Sequence, residues 1–241
     1  MNKKIIYIVI GAIVILLALG FWYKNSRNLL VDSNENVKKG IELCFAKFGE
    51  INKQGFYDKY TLKMLLDGEK VTGELKFLPA EKDSKLGKFE GSVTAVDKMS
   101  MTRTVNAVWD TFAEGMNNKE ELSIVFGEGI ANVGFGEMVD KGDGMYGYKN
   151  PKDIKYSLEL NDVACGDIDE REVVENYLRL NIAKLSPVKA VLGGTWYVVS
   201  VFVDMSRNEG GVVYEDGHIQ EKRTFNYSTN EKGEVVSLSI I

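Results

Sequence analysis

Cysteine, proline and histidine are scarce in this chain, and each scarcity narrows what it does. One histidine in 241 residues leaves a serine or cysteine nucleophile little to lean on, and no G-x-S-x-G elbow is present. The same His218, even with the two cysteines, falls short of a zinc ligand set, so no metal is expected. Three prolines beside 24 glycines, in a chain rich in valine and threonine, favour strands joined by tight turns. Positive charge is not in excess: 30 basic residues face 35 acidic ones, a net charge of -5. Setting aside Lys3 and Lys4 leaves 28 basic against 35 acidic. Such a surface has no electrostatic reason to seek nucleic acid or anionic lipid. The expected partners are a small ligand or an envelope protein, not nucleic acid.

Long apolar runs are absent except for one. Ile5 to Tyr23 are nineteen residues without a charge, which at ~1.5 Å per residue nearly matches a hydrocarbon layer of ~30 Å. Lys3 and Lys4 precede the run, and Phe21, Trp22 and Tyr23 stand where an interfacial aromatic belt stands. Residues 1–23 are therefore predicted to be a transmembrane helix, with a cleaved signal peptide ending at Gly20 as the alternative. Lys24 and Arg27 nearly balance the flanking charge, so the cysteines decide the orientation. Cys44 and Cys165 both lie beyond the run, and a bridge between them persists only outside a reducing cytoplasm. A disulfide is predicted, with a cytoplasmic N-terminus and extracytoplasmic C-terminal domains in a cell membrane protein of one span.

Residues 24–40 are polar and read as a tether. From 41 to 168 the hydrophobic period is two. Asp67-Gly68 is a type I′ turn signal, and pairing outward from it sets Met64 opposite Val71 and Leu62 opposite Gly73. Phe89, Gly91, Val93 and Ala95 alternate with polar neighbours. Leu122–Phe126 and Ile130–Phe135 flank Gly127-Glu128-Gly129, and Met145–Tyr148 and Tyr156–Leu160 complete the series. Residues 102–116 fit a helical face through Val105, Val108, Trp109, Phe112 and Met116. They also fit a strand through Val105, Ala107, Trp109, Thr111 and Ala113, and the flanking strands favour the latter. About eight strands in this length suit an antiparallel β-barrel or sandwich.

After Cys165 the period lengthens. Asp169 to Leu185 reads as an amphipathic helix capped by Asp167 or Asp169, with Glu170 and Glu172 favouring its dipole. Strands are expected at 195–204, 211–215, 218–228 and 234–240, the second and third joined by a type I′ turn at Asp216-Gly217. Residues 169–241 thus form a small α+β domain, one helix on an antiparallel meander. The chain is mainly β.

Chemistry-bearing clusters are few. Leu122 to Gly134 imitates a nucleotide-binding loop, but Asn132 holds the third glycine position, so no cofactor is expected. Asp140 and Asp143, and the 79–84 loop, carry oxygens without the alternation or terminal glutamate of an EF-hand. Across the expected 216–217 turn Glu215 opposes His218, a cross-strand pair or an acid–base couple. Glu114, Glu120, Glu121, Glu128 and Glu137 bracket the central hairpins. A glycan hydrolase needs two carboxyls roughly 5–9 Å apart, and Glu114 with Glu121 is the candidate pair. Trp109, Phe112, Trp196, Tyr197 and Phe202 suit a core better than a binding platform.

Several segments (GEKVTGELKFLPAEKDSKLGKFEGSV, FAEGMNNKEELSIVFGEG, FGEMVDKGDGMY, VLGGTWYVVSV and YEDGHIQ) together resemble a group of membrane-anchored bacterial cell-envelope proteins without an assigned activity. The V-x-G-x-L-x-F run at Val71 to Phe77 looks like strands of lipocalin-like barrels. The resemblance implies an envelope location and carries over no functional residue. The favoured function is an extracytoplasmic binding or protein-interaction module, with an envelope glycan hydrolase or a structural subunit as alternatives.

Overall fold

The computed structural model describes residues 40–142 and 144–241. The predicted membrane helix at 1–23, the tether as far as Lys39, and Asp143 lie outside the described residues. Among the described residues no helix is long and apolar enough to cross a membrane.

The period-two stretch forms a closed antiparallel barrel. Strands β1 (Ile41–Phe48), β2 (Lys59–Asp67), β3 (Lys70–Leu78), β4 (Lys85–Val93), β5 (Arg103–Ala113), β6 (Met116–Gly127), β7 (Ile130–Phe135) and β10 (Lys155–Asp162) pair in that order, and β10 returns to β1. Between β7 and β10 a small hairpin, β8 (Met138–Asp140) and β9 (Met145–Tyr148), lies beside the first half of β6, followed by a 3-10 turn at Pro151–Asp153. Alternation sorts the side chains because successive residues point to opposite faces. On β2 Leu62, Met64 and Leu66 point inward, and on β5 Val105 and Trp109, so the 102–116 segment is strand over 103–113, turning at 114–115. These join Phe45, Val71, Leu75, Phe89, Ile124, Ala131, Val133 and Leu160 in one core.

The turns differ from expectation in an instructive way. Asp67 pairs with Lys70, so the β2–β3 turn is Gly68-Glu69 rather than Asp67-Gly68. Only Gly68 has positive φ, 64°, as a type II′ turn requires, whereas type I′ needs both central residues there. Met64 now faces Gly73 and Leu62 faces Leu75. That is a shift of two, which preserves the inward face. The Phe89 ring lies over Gly73, where an added Cβ would sit 2.4 Å from its Cζ. Type I′ turns do occur, at Glu114-Gly115 (φ 51° and 77°) and Glu128-Gly129 (51° and 81°).

Helix α1 (Cys165–Leu185) begins four residues ahead of the expected start and straddles the boundary drawn at 168/169. Its N-cap is Ala164, without a side-chain hydrogen bond, so neither Asp167 nor Asp169 caps it. The acids of its first turns serve other partners. Asp169 and Glu172 pair with Lys63, Glu172 with Lys76 at 2.8 Å, and Glu175 with Lys59 at 2.8 Å, all on the outside of β2 and β3. Burial pulls the Lys76 ammonium down, but Glu172, by hydrogen bond and charge, and Glu74 hold it above its usual range.

Val174, Leu178 and Ile182 of α1 pack on a four-stranded meander, β11 (Tyr197–Asp204), β12 (Glu209–Glu215), β13 (Gln220–Thr229) and β14 (Val235–Ile240), meeting Trp196, Val201, Val212, Tyr214 and Phe225. The other face of this sheet receives the β1–β2 loop. Tyr57 donates to Val201 O at 2.7 Å and meets the Phe202 ring edge-on, while Ser200 donates to Gly55 O at 2.9 Å. Cys44 and Cys165 are disulfide-bonded, with Cα atoms 5.2 Å apart. The bridge ties α1 to β1 at the narrowest seam of the barrel, where only Phe45 and Ala46 pair with β10.

Candidate functional site

The two ends of the barrel differ. At one end Leu66, Val71, Val93, Val105, Phe126 and Leu160 fill the interior. At the other, reached by the β1–β2, β3–β4 and β5–β6 connections, a cavity of about 320 Å³ remains. Leu75, Leu122, Val133 and Leu158 floor it, and Phe77, Trp109, Phe135 and Tyr148 wall it. Its size falls at the lower end of the roughly 300–1,000 Å³ usual for small-molecule sites.

Charges interrupt this apolar lining: Asp83 and Glu121 border it, and Lys85 and Glu120 form an ion pair within it. Lys85 and Glu120 occupy inward positions of β4 and β6, in phase with Phe89 and Leu122. The Lys85 ammonium donates to both Glu120 oxygens, at 2.8 and 2.9 Å. It also stands 5.7 Å from the centre of the Trp109 ring, within cation–π range. Thr111 Oγ1 donates toward Glu120 at 3.4 Å, and Trp109 Nε1 donates to Gly87 O at 3.0 Å. The pair is only partly shielded, with side-chain exposures of 35% and 15%, so it keeps a face for a ligand's polar group. Removing one partner would strand the other in a poorly solvated wall.

The rim is aromatic. Tyr60 and Phe77 rings lie 4.7 Å apart, and Phe77 meets Phe135 edge-on at 6.0 Å. Tyr148 donates its phenol to Gly134 O at 3.0 Å, and burial pushes that phenol up to about 12, so it stays a neutral donor at physiological pH. Ala80 N donates to Asp58 Oδ1 at 2.8 Å, which pins the loop carrying Asp83 over the opening.

Of the residues predicted from sequence, Glu121 borders this cavity, while Glu114, Glu215 and His218 stand elsewhere. Glu114 is an exposed turn residue in the left-handed region, and Glu121 lies on the outer face of β6, accepting from Tyr148 N at 2.8 Å. The five strand positions from Met116 to Glu121 alone separate the two by roughly 17 Å at ~3.3 Å per residue, so they are not brought together. Glu215 and His218 are not opposed either, because Glu215 pairs with Gln220 and Asp216 N donates to Ile219 O at 3.2 Å, which puts Gly217 and His218 at the tip. At this tip Asp216 is a buried carboxylate that accepts from Val191 N, His218 N and Ile219 N at 2.7–2.9 Å. Those donors, Ile219 N–H foremost, hold it below the ordinary carboxylate range. Glu215 instead binds the Tyr197 hydroxyl and Gln220, and His218 is exposed.

Among the described residues no group of three or more His, Cys, Asp or Glu is placed to hold a metal ion. The sequence patterns do not mark Lys85, Asp83 enters only as part of the 79–84 loop, and Trp109 reads there as core. The signal that marks Lys85 and Glu120 is phase: a charge in the inward register of a strand, near its end. No family model, no curated protein and no solved structure matches the chain.

Proposed function

We propose that this protein is a binding module held at the outer side of a cell membrane by residues 5–23, and that it takes a small, largely apolar ligand in the mouth of its barrel. The half-filled interior carries the reading. An eight-stranded barrel is just wide enough for side chains to fill, and here they fill one end and leave about 320 Å³ at the other. A rigid aromatic molecule with one hydrogen-bonding group would bury its body against Leu75, Val133 and Leu158. Its polar group would meet Lys85 and Glu120, which supply both a donor and an acceptor. An extracytoplasmic location accords with the disulfide, since such bonds persist outside reducing compartments.

The test is a titration of the protein with 1-aminoanthracene, an uncharged aromatic amine. Saturable one-to-one binding with a rise in probe emission is expected, together with loss of that binding in Val133→Trp, which fills the cavity. Equal binding by parent and variant, or none by either, would overturn the reading.

A further inference from the structure

The filled end of the barrel carries an unusual loop. Between β4 and β5, residues 94–102 project beyond the last paired residues, Val93 and Val105. Three of them are apolar and open to solvent: Val96 at 49%, Met99 at 97% and Met101 at 56% exposure. This exposure is built in. Asp97 Oδ1 accepts from Met99 N and Ser100 N at 2.8 and 3.2 Å, Met101 N donates to Asp97 O, and Asp97 N donates to Thr102 O. Met101 sits at φ 54°, a conformation a methionine adopts only when its surroundings impose it. The loop thus holds two methionines outward at some backbone cost.

The same end is where the described chain begins. Gly40 lies against the Leu66 carbonyl, and Ile41, 65% exposed, stands at the rim. Only sixteen residues, 24–39, separate Gly40 from the apolar run of 5–23, and they reach at most ~58 Å when fully extended. We infer that the Val96–Met101 loop dips into the surface of the bilayer that holds the anchor, setting the filled end against the membrane and the ligand mouth toward the opposite side. This rests on the anchoring proposed above. The chemistry selects the lipid. Methionine and valine suit the boundary between head groups and chains, Lys98 reaches back to phosphates, and the Asp97 carboxylate is already satisfied by backbone donors. Asp67, Glu69 and Glu128 at this end offset Lys70, Lys98 and Arg103, whose Nε donates to Thr94 O, so no net attraction to anionic lipid is built in and a zwitterionic surface suffices.

The test uses the full chain in phosphatidylcholine vesicles, with a fluorophore on Met99→Cys, on Val96→Cys, or on Ser84→Cys at the mouth end. Chain-brominated phosphatidylcholine should quench the label at 99 at least ~3-fold more than that at 84, with 96 between them, as shallow apolar insertion requires. Equal, weak quenching at 99 and 84 in protein that floats with the vesicles would overturn the loop contact alone. Protein that fails to float would overturn the anchor and the loop contact together.

Discussion

Asp216 shows what one side chain does to a hairpin. Its carboxylate gathers three backbone N–H groups at the tip, and the turn sits at Gly217-His218, so Glu215 faces Gln220 rather than His218. The dipeptide Asp216-Gly217 carries the same turn signal whether or not Val191 N comes within reach, and Val191 arrives from 25 residues away. That is why this loop was illegible in the sequence while Glu128-Gly129 was not. A carboxylate held below its unfolded range contributes stability that is present above the unfolded pKa and lost as pH falls through the folded one. Asp216→Asn is therefore expected to lower the Tm at neutral pH and to flatten its decline below pH ~4, as thermal melts across pH would read. At Gly73, a side chain would press on the Phe89 ring and the Lys63 carbonyl. Gly73→Val should cost about 1–3 kcal/mol by overpacking, measured by urea unfolding.

Among the elements, β1 and α1 carry the closure. Most neighbouring barrel strands share long ladders, but β1 meets β10 at two residues, supplemented by Val163 N donating to Cys44 O at 2.9 Å. The disulfide stands beside this seam and closes a loop across a separation of 121 residues. Replacing Cys44 and Cys165 together by alanine is expected to cost about 4–5 kcal/mol in the chain-entropy account. Amide exchange should quicken first along β1 and β10. The ion pairs that spread α1 over β2 and β3 are a weaker tie: they remain partly solvated, so Glu172→Gln should change stability by less than ~1 kcal/mol. Strand periodicity and the cysteine pair were legible from sequence because both are local or compartmental signals. The true start of α1 was not, since Asp169, Glu172 and Glu175, acids of the kind that open a capped helix, lie in its second and third turns and answer Lys63, Lys76 and Lys59 of the barrel instead.

At the scale of the whole molecule, the barrel, α1 and the second sheet are interlocked. The β1–β2 loop reaches one face of that sheet, α1 covers the other, and the disulfide binds α1 to β1. The site was only half visible beforehand. Trp109 and Glu120 stood out by type, yet neither composition nor spacing reveals that one end of a barrel is packed and the other is not. That follows from residue volumes summed around eight strands. Nitrogen–proton correlation spectra of the protein, recorded during titration with 1-aminoanthracene, test the mouth as a binding site most directly. The account expects the indole N–H of Trp109 and the amides of Gly134, Phe135 and Gly136 to shift together and saturate while those of Val93 and Phe126 stay still. Shifts that spare Trp109, or that scatter over β11 to β14, would contradict it.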